Sequence, residues 1–255
     1  MPGGYMMKLT LAEPKYLKDS ISIISDLVSE GKFKITKECV EMVAMDPANV
    51  VMVIFKLLSS TFVEYNVEKD MDLSVNLTNL KQILSRAKPN DMLTLETSKD
   101  GGKLTVELKG ASRRTFSLPI IESDEREQKV PQLKFPLSVR LNSASLNESI
   151  DDVDVVAESV TFGVDGKKFI VQAEGDLSEA MVEMEGSDDT KIENEVGEPI
   201  KAKYSVEYLK KIMKGSKLSP TALVQFNKDY PLRVEYKAVD RAMLAFILAP
   251  RVDND

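Results

Sequence analysis

Histidine and tryptophan are absent from the 255 residues, and Cys39 is the one cysteine. Without histidine there is no Ser-His-Asp or Cys-His nucleophile arrangement and no imidazole metal site. An enzyme built on this chain is left with carboxylate, lysine or tyrosine chemistry. A single cysteine rules out an internal disulfide and any cysteine-rich metal site; Cys39 lies in an apolar, strand-like run and reads as core filler. No apolar run reaches the length of about 18 residues that a membrane helix needs. The N-terminus lacks the basic-then-apolar pattern of a signal peptide. The expectation is a soluble, intracellular protein, with the few residues before Met6 as a leader without a role.

What the chain does have is balanced. Apolar residues make up 43%, enough for ordinary cores, and the length suits one large domain or two. The net charge of −7 argues in sum against a nucleic-acid partner, but the distribution of charge matters more than its total.

The sequence repeats itself. Residues 17–53 align with residues 146–182 at a constant shift of 129 without a gap: Leu17 over Leu146, Ile21 over Ile150, Phe33 over Phe162, Ala44 over Ala173 and Met52-Val53 over Met181-Val182. The same shift sets Leu80-Lys81 over Leu209-Lys210 and Ile83 over Ile212. Between the copies lies LPIIESDEREQKVPQLKFP (118–136), charged in its middle and held extended by Pro119, Pro131 and Pro136. One unit used twice predicts two domains, 1–118 and 136–255, joined by a connector at 119–135.

In each copy the pattern predicts two short helices and many strands, an α+β unit whose sheet covers one face of the helices. Helical spacing runs over 13–28 and again from a Thr78 cap to Pro89. Between and after them come strand-like runs at 33–35, 40–45, 49–57 and 61–65, then MLTLET, KLTVELKG and RRTFSLP around a turn at 99–102. Copy two gives a helix over 143–155 and strands SVTFGV, KKFIVQAE and EAMVEME with a hairpin turn at Asp165-Gly166. An acidic loop with a short strand follows at 186–198, then a helix over 206–214 and three closing strands.

Lys81, Ser85 and Lys88 on the second helix of copy one correspond to Lys210, Lys214 and Lys217 in copy two, with Lys211 beside them. A solvated helix face is the plain explanation of such a stripe. Its recurrence in both halves of an acidic protein favours a function, and lysines without interleaved aromatics suit phosphate contact without sequence readout.

Several stretches resemble the sliding clamps of the proliferating-cell-nuclear-antigen type: AMDPANVVMV (44–53), YNVEKDMDLSVNLTNLKQIL (65–84), RTFSLP (114–119), PLRVEYK (231–237) and LAPRVDND (248–255). They cover nearly the whole chain in order, and the connector and ending are closer to archaeal clamps than to eukaryotic ones. The resemblance implies a two-domain DNA-clamp fold in a homotrimeric ring, with helices lining a hole around duplex DNA and sheets outside. It implies no catalysis, no cofactor and no metal. The implied partners are double-stranded DNA without sequence preference, a clamp loader, and polymerase, flap nuclease and ligase held through short client motifs. No membrane is involved. The implied location is the cytoplasm, with the chromosome, or the nucleus if the source is eukaryotic.

Under this resemblance Lys18, Lys81, Lys88, Lys210, Lys211, Lys214 and Lys217 are the candidates for the DNA-facing lining. The client pocket would use Met45, Asn49 and Val50 after the AMDP turn, and Gln128, Val130 and Pro131 from the connector. Its far wall would be Pro231, Ile247, Leu248, Ala249 and Pro250, with the client's backbone pairing to connector and tail. Asn49 and Gln128 depart from the commonest eukaryotic residues, and ordinary core packing is the plain reading of Met45, Val50 and Leu248.

Where relatives often carry basic residues, the first helix of copy two has Glu148, Asp151, Asp152 and Asp154 on its polar face. The resemblance implies that Arg86, Lys88 and Arg114 meet Glu148 and Asp152 of the next subunit. Asp151 and Asp154 have no part in that contact and would weaken DNA binding locally. A solvated acidic helix or a Mg²⁺ site are the other readings. Two further readings of the whole remain: an enzyme using Asp188-Asp189 or Asp151-Asp152, which lacks any phosphate-binding loop, and one subunit of a hetero-oligomeric clamp.

Overall fold

The computed structural model describes residues 5–98, 100–122 and 128–252. The leader expected at the N-terminus, Lys99 of the 99–102 turn, residues 123–127 of the connector and residues 253–255 of the C-terminal stretch lie outside the described residues, apart from Tyr5. The chain forms two compact units. One comprises Met1–Asp46, Val53–Val130 and Ala238–Met243, the other Pro47–Met52, Pro131–Lys237 and Leu244–Asp255.

The first half of the chain runs β1 (Tyr5–Leu11), α1 (Lys15–Ile24), β2 (Glu30–Ile35), β3 (Cys39–Met45), β4 (Val51–Leu58), β5 (Glu64–Val67), β6 (Met71–Asn76), α2 (Leu77–Ser85), β7 (Met92–Ser98), β8 (Lys103–Lys109) and β9 (Arg113–Pro119). An antiparallel sheet has the order β5-β1-β7-β8-β9, and β4, β3, β2 and β6 are neighbours in that order in another. The core takes Leu17, Ile21 and Ile24 from α1, Leu77, Leu80 and Leu84 from α2, and Phe33 and Phe55 edge to face at 6.4 Å.

The second half runs β10 (Leu137–Asn142), α3 (Ser143–Asp154), β11 (Ser159–Asp165), β12 (Lys168–Glu174), β13 (Glu179–Glu185), β14 (Lys191–Asn194), β15 (Ile200–Ser205), α4 (Val206–Met213), β16 (Thr221–Phe226), β17 (Leu232–Ala238) and β18 (Ala242–Leu248). Here β13-β12-β11-β15 form a four-stranded antiparallel sheet, and β14-β10-β16-β17-β18 follow one another in another. Phe162 anchors the core, with Phe169, Tyr204 and Phe226 at 5.4, 5.7 and 6.1 Å. The expected turn at Asp165-Gly166 is present, with Gly166 at a φ of 57°.

Four expectations are corrected. Helix α1 is shorter than 13–28, because Pro14 sets its start and the chain tightens after Ile24, whose carbonyl accepts from both Leu27 and Val28. The cap of α2 is Asn76 and not Thr78: its side-chain oxygen accepts the Asn79 N–H at 2.8 Å, as asparagine does well at this position. The run at 61–65 is split by a 3-10 turn at Ser59–Thr61, and β5 begins only at Glu64. Strands β1 and β10 had no expected counterpart, although β1 lies inside its sheet, paired to both β5 and β7.

Candidate nucleic-acid interface and client pocket

Each unit holds two helices side by side, and the ties between them follow the repeat. In the first, Lys18 Nζ on α1 donates to the Ala87 carbonyl at 2.9 Å, just past the end of α2. In the second, Asn147 Nδ2 on α3 donates to Ser216 Oγ at 2.9 Å, both residues displaced by the same 129. The return tie is ionic. Lys81 on α2 reaches Asp26 at 2.9 Å, and Lys210 on α4 reaches Asp154 at 2.5 Å. The hydrogen bond and negative charge of Asp154 hold the Lys210 ammonium above its ordinary pKa, with a smaller contribution from Asp151. Asp154, unexplained from the sequence, is therefore the partner of Lys210.

The other candidate lysines differ among themselves. Lys211 forms an i,i+4 pair with Glu207 at 3.2 Å and stands 5.4 Å from the Tyr208 ring centroid. Lys214 and Lys217 are exposed on the 3-10 turn after α4, and Lys88 is exposed beyond α2. Gly215 lets that turn lie against Tyr236. Four of the seven candidate lysines, Lys18, Lys81, Lys210 and Lys211, thus fall on the two helix pairs, and Lys18, Lys81 and Lys210 have partners on the neighbouring helix or at its end.

The basic residues expected at a subunit edge come together around one the sequence did not single out. The Asp91 carboxylate accepts the Lys88 backbone N–H at 2.8 Å and the Arg114 guanidinium, which also donates to the Arg86 carbonyl at 3.0 Å. That backbone N–H foremost, and then Arg114, hold the Asp91 carboxyl below the ordinary carboxylate range. Gly110 has no room for a Cβ, which would meet Asp91 Oδ1 at 2.1 Å. An aspartate three residues after an exposed lysine, at the exit of a helix, is the only sequence signal of this hub. Arg114 is therefore committed within its own chain, while the Arg86 side chain is exposed. Glu148 and Asp152 are exposed one turn apart on α3.

Two strand edges accompany these charges. Among the described residues β9 pairs with β8 alone, and β13 with β12 alone. Strand β9 begins with Arg113 and Arg114, whereas β13 alternates exposed Glu179, Met181, Glu183 and Glu185 with half-buried neighbours.

Of the candidate pocket residues, Met45, Gln128 and Val130 belong to the first unit and the rest to the second. Met45 is half-buried, while Gln128 and Val130 are exposed. In the second unit the Ala249 N–H donates to the Val50 carbonyl at 2.9 Å, tying the tail after β18 to the turn at Asn49, which has a φ of 57°. Two residues on, the Arg251 N–H donates to the Lys203 carbonyl at 2.7 Å and its guanidinium to Ser159 Oγ at 2.6 Å. Asn49, Pro131 and Ala249 are exposed, and Val50, Pro231 and Pro250 half-exposed. Ile247 is nearly buried and Leu248 entirely so, which places both beneath that surface. Beside the tail an open depression of about 830 Å³ is lined by Thr161, Gln172, Glu174, Lys201, Lys203 and Arg251, among others.

Comparison with known proteins gives one answer throughout. The family model of the proliferating cell nuclear antigen N-terminal domain matches residues 6–126, and that of its C-terminal domain matches residues 129–251. A protein named DNA polymerase sliding clamp from Nanoarchaeum equitans is 37% identical over 249 residues, covering 97% of this chain and all of that protein. Another of the same name, from Thermococcus onnurineus, is 35% identical over 240 residues, covering 94% of this chain and 96% of the relative. The crystal structure of PCNA from Thermococcus kodakaraensis superposes with a TM-score of 0.90 at 24% identity, over 96% of this chain and all of the other.

Proposed function

The chain belongs to the proliferating cell nuclear antigen family, and from that premise we propose how it works as a DNA sliding clamp. It is a processivity factor, which holds polymerase to its template and is not an enzyme. Three copies close into a ring around duplex DNA, with α1 to α4 of each copy lining the hole. The observation that carries this reading is the duplicated helix pair, with lysines recurring at a shift of 129 on a chain whose net charge is −7. A ring bound by topology needs only weak, sequence-blind contacts with phosphates, and scattered lysines on an acidic protein supply them.

Closure joins β9 of one copy to β13 of the next. A basic edge and an acidic edge on the same chain suit self-association, which favours a homotrimer. Arg86 and Lys88 face Glu148 and Asp152 of the neighbouring subunit. Arg114 supports them from within by holding Asp91 and the Arg86 carbonyl.

Clients bind by adding an extended segment to the tail, and set an aromatic or aliphatic anchor beside Val50, Pro231 and Pro250. The Ala249–Val50 hydrogen bond supports this assignment by fixing the tail beside the Asn49 turn. Polymerase, flap nuclease, ligase and a clamp loader are the clients proposed, with the connector at 119–135 separating domains 1–118 and 136–255. Among the described residues no helix is long and apolar enough to cross a membrane. The place of action is the chromosome, in the cytoplasm of an archaeal-like cell.

Absolute mass by light scattering across a dilution and salt series tests the ring. Three times the chain mass of 28.4 kDa is expected. A stable monomer would overturn self-closure and require other subunits.

A further inference from the structure

One lysine on the second helix of each unit is tied to an aspartate at the end of the first. Lys81 reaches Asp26 at 2.9 Å and Lys210 reaches Asp154 at 2.5 Å. The lysines are related by a shift of 129 and the aspartates by 128, so both copies keep the contact although α1 and α3 otherwise differ in charge. The four side chains are 37%, 26%, 46% and 40% exposed. They are solvated enough for a phosphate to recruit the lysine, yet near enough that the carboxylate must first be displaced. Pairs this exposed are weak and screened by salt, so the tie is reversible.

We infer that Asp26 and Asp154 set how tightly the ring's lining holds duplex DNA, each withholding one lysine from the phosphates and so keeping contact sparse enough for sliding. This rests on the reading of these helices as the DNA lining. A lysine that already neutralises a carboxylate has less charge to offer the phosphates, and releases fewer counterions when DNA arrives. Both aspartates act through their lysines and touch no DNA themselves. They are positioning residues, and the acidic character of α3 becomes a functional feature.

The test is binding of the intact ring to a short linear duplex, which it can thread from an end, measured by fluorescence anisotropy over a salt series. For the variant D26N/D154N the plot of log affinity against log salt should steepen by up to about 0.9 for each released lysine that engages a phosphate. Binding at low salt should tighten by about threefold or more. The variant D188N/D189N, which removes the same charge from an exposed turn, should keep the wild-type slope. An unchanged slope in D26N/D154N overturns the inference and leaves the DNA-lining reading intact. So does an equal steepening in D188N/D189N, because bulk charge would then account for it. A wild-type ring without salt-dependent duplex binding overturns the lining reading and this inference with it.

Discussion

The Asp91 carboxylate accepts the Arg114 guanidinium while it also accepts the Lys88 backbone N–H, and only 3% of the residue is exposed. Both contacts favour the charged carboxylate and lower its pKa. A carboxylate whose folded pKa lies below the unfolded value of about 3.9 stabilises the fold above that value and loses its contribution as pH falls through the folded one. Asp91→Asn should therefore melt at a lower temperature than wild type by an amount that is constant from about pH 5 upward and shrinks below about pH 4. A difference that persists undiminished in strong acid would assign the effect to packing against Gly110.

Gly215 lies under the Tyr236 ring, where a Cβ would stand 2.2 Å from Cδ2. The ring has no exposed surface, and its hydroxyl is directed at Met213 Sδ, 3.7 Å away, so it has little room to retreat. Gly215→Ala should cost about 1–3 kcal/mol in urea unfolding, the range for overpacking a filled core. A variant as stable as wild type would mean that the turn carrying Lys214 and Lys217 can lift away from Tyr236.

The duplication was legible from the sequence because apolar positions repeat without a gap from Leu17 to Val53, and core packing preserves such positions. The lysine stripe is legible through the same alignment, which sets Lys81 over Lys210 and Lys88 over Lys217. What could not be read was which charges are already partnered. Asp26 and Lys81 stand 55 residues apart, Asp154 and Lys210 stand 56 apart, and no local pattern links either pair. Asp91 is hidden likewise, since its side-chain partner Arg114 lies 23 residues on. Strand β1 was overlooked because it precedes the aligned repeat, and its place inside a sheet comes from pairing with β5 and β7 far along the chain. Cap identity failed by two residues at Asn76, where Asn and Thr both suit the position and only the backbone geometry decides.

The tail should matter through its backbone more than through its side chains. Ala249→Pro removes the N–H that donates to the Val50 carbonyl, and with it that hydrogen bond. Affinity for a short peptide with aromatic and aliphatic anchors, measured by calorimetry, should fall by about three- to tenfold, the equivalent of one lost hydrogen bond. The ring's mass should not change. Undiminished peptide affinity would remove the ordered tail from the client site.

Arg86 is the informative residue at the subunit edge. Arg114→Glu would strip Asp91 of its partner as well as alter the edge, so a loss of assembly in that variant could arise inside the subunit. Arg86 takes part internally through its backbone, whose N–H donates to the Ile83 carbonyl at 3.0 Å and whose carbonyl accepts from Arg114, and the residue is exposed. Exposed pairs are worth about 0.2–1 kcal/mol each and weaken with salt. Arg86→Glu replaces attraction to Glu148 and Asp152 with repulsion, so the trimer should dissociate at higher protein concentration than wild type, most clearly at low salt. Glu148→Lys in the same chain should restore part of the loss, again in a salt-dependent way. Light scattering over dilution reads both effects. If Arg86→Glu holds its trimer mass to the same dilution as wild type at low salt, the charged pairs are not part of the joint. Closure would then rest on the backbone groups that β9 and β13 leave open at their edges.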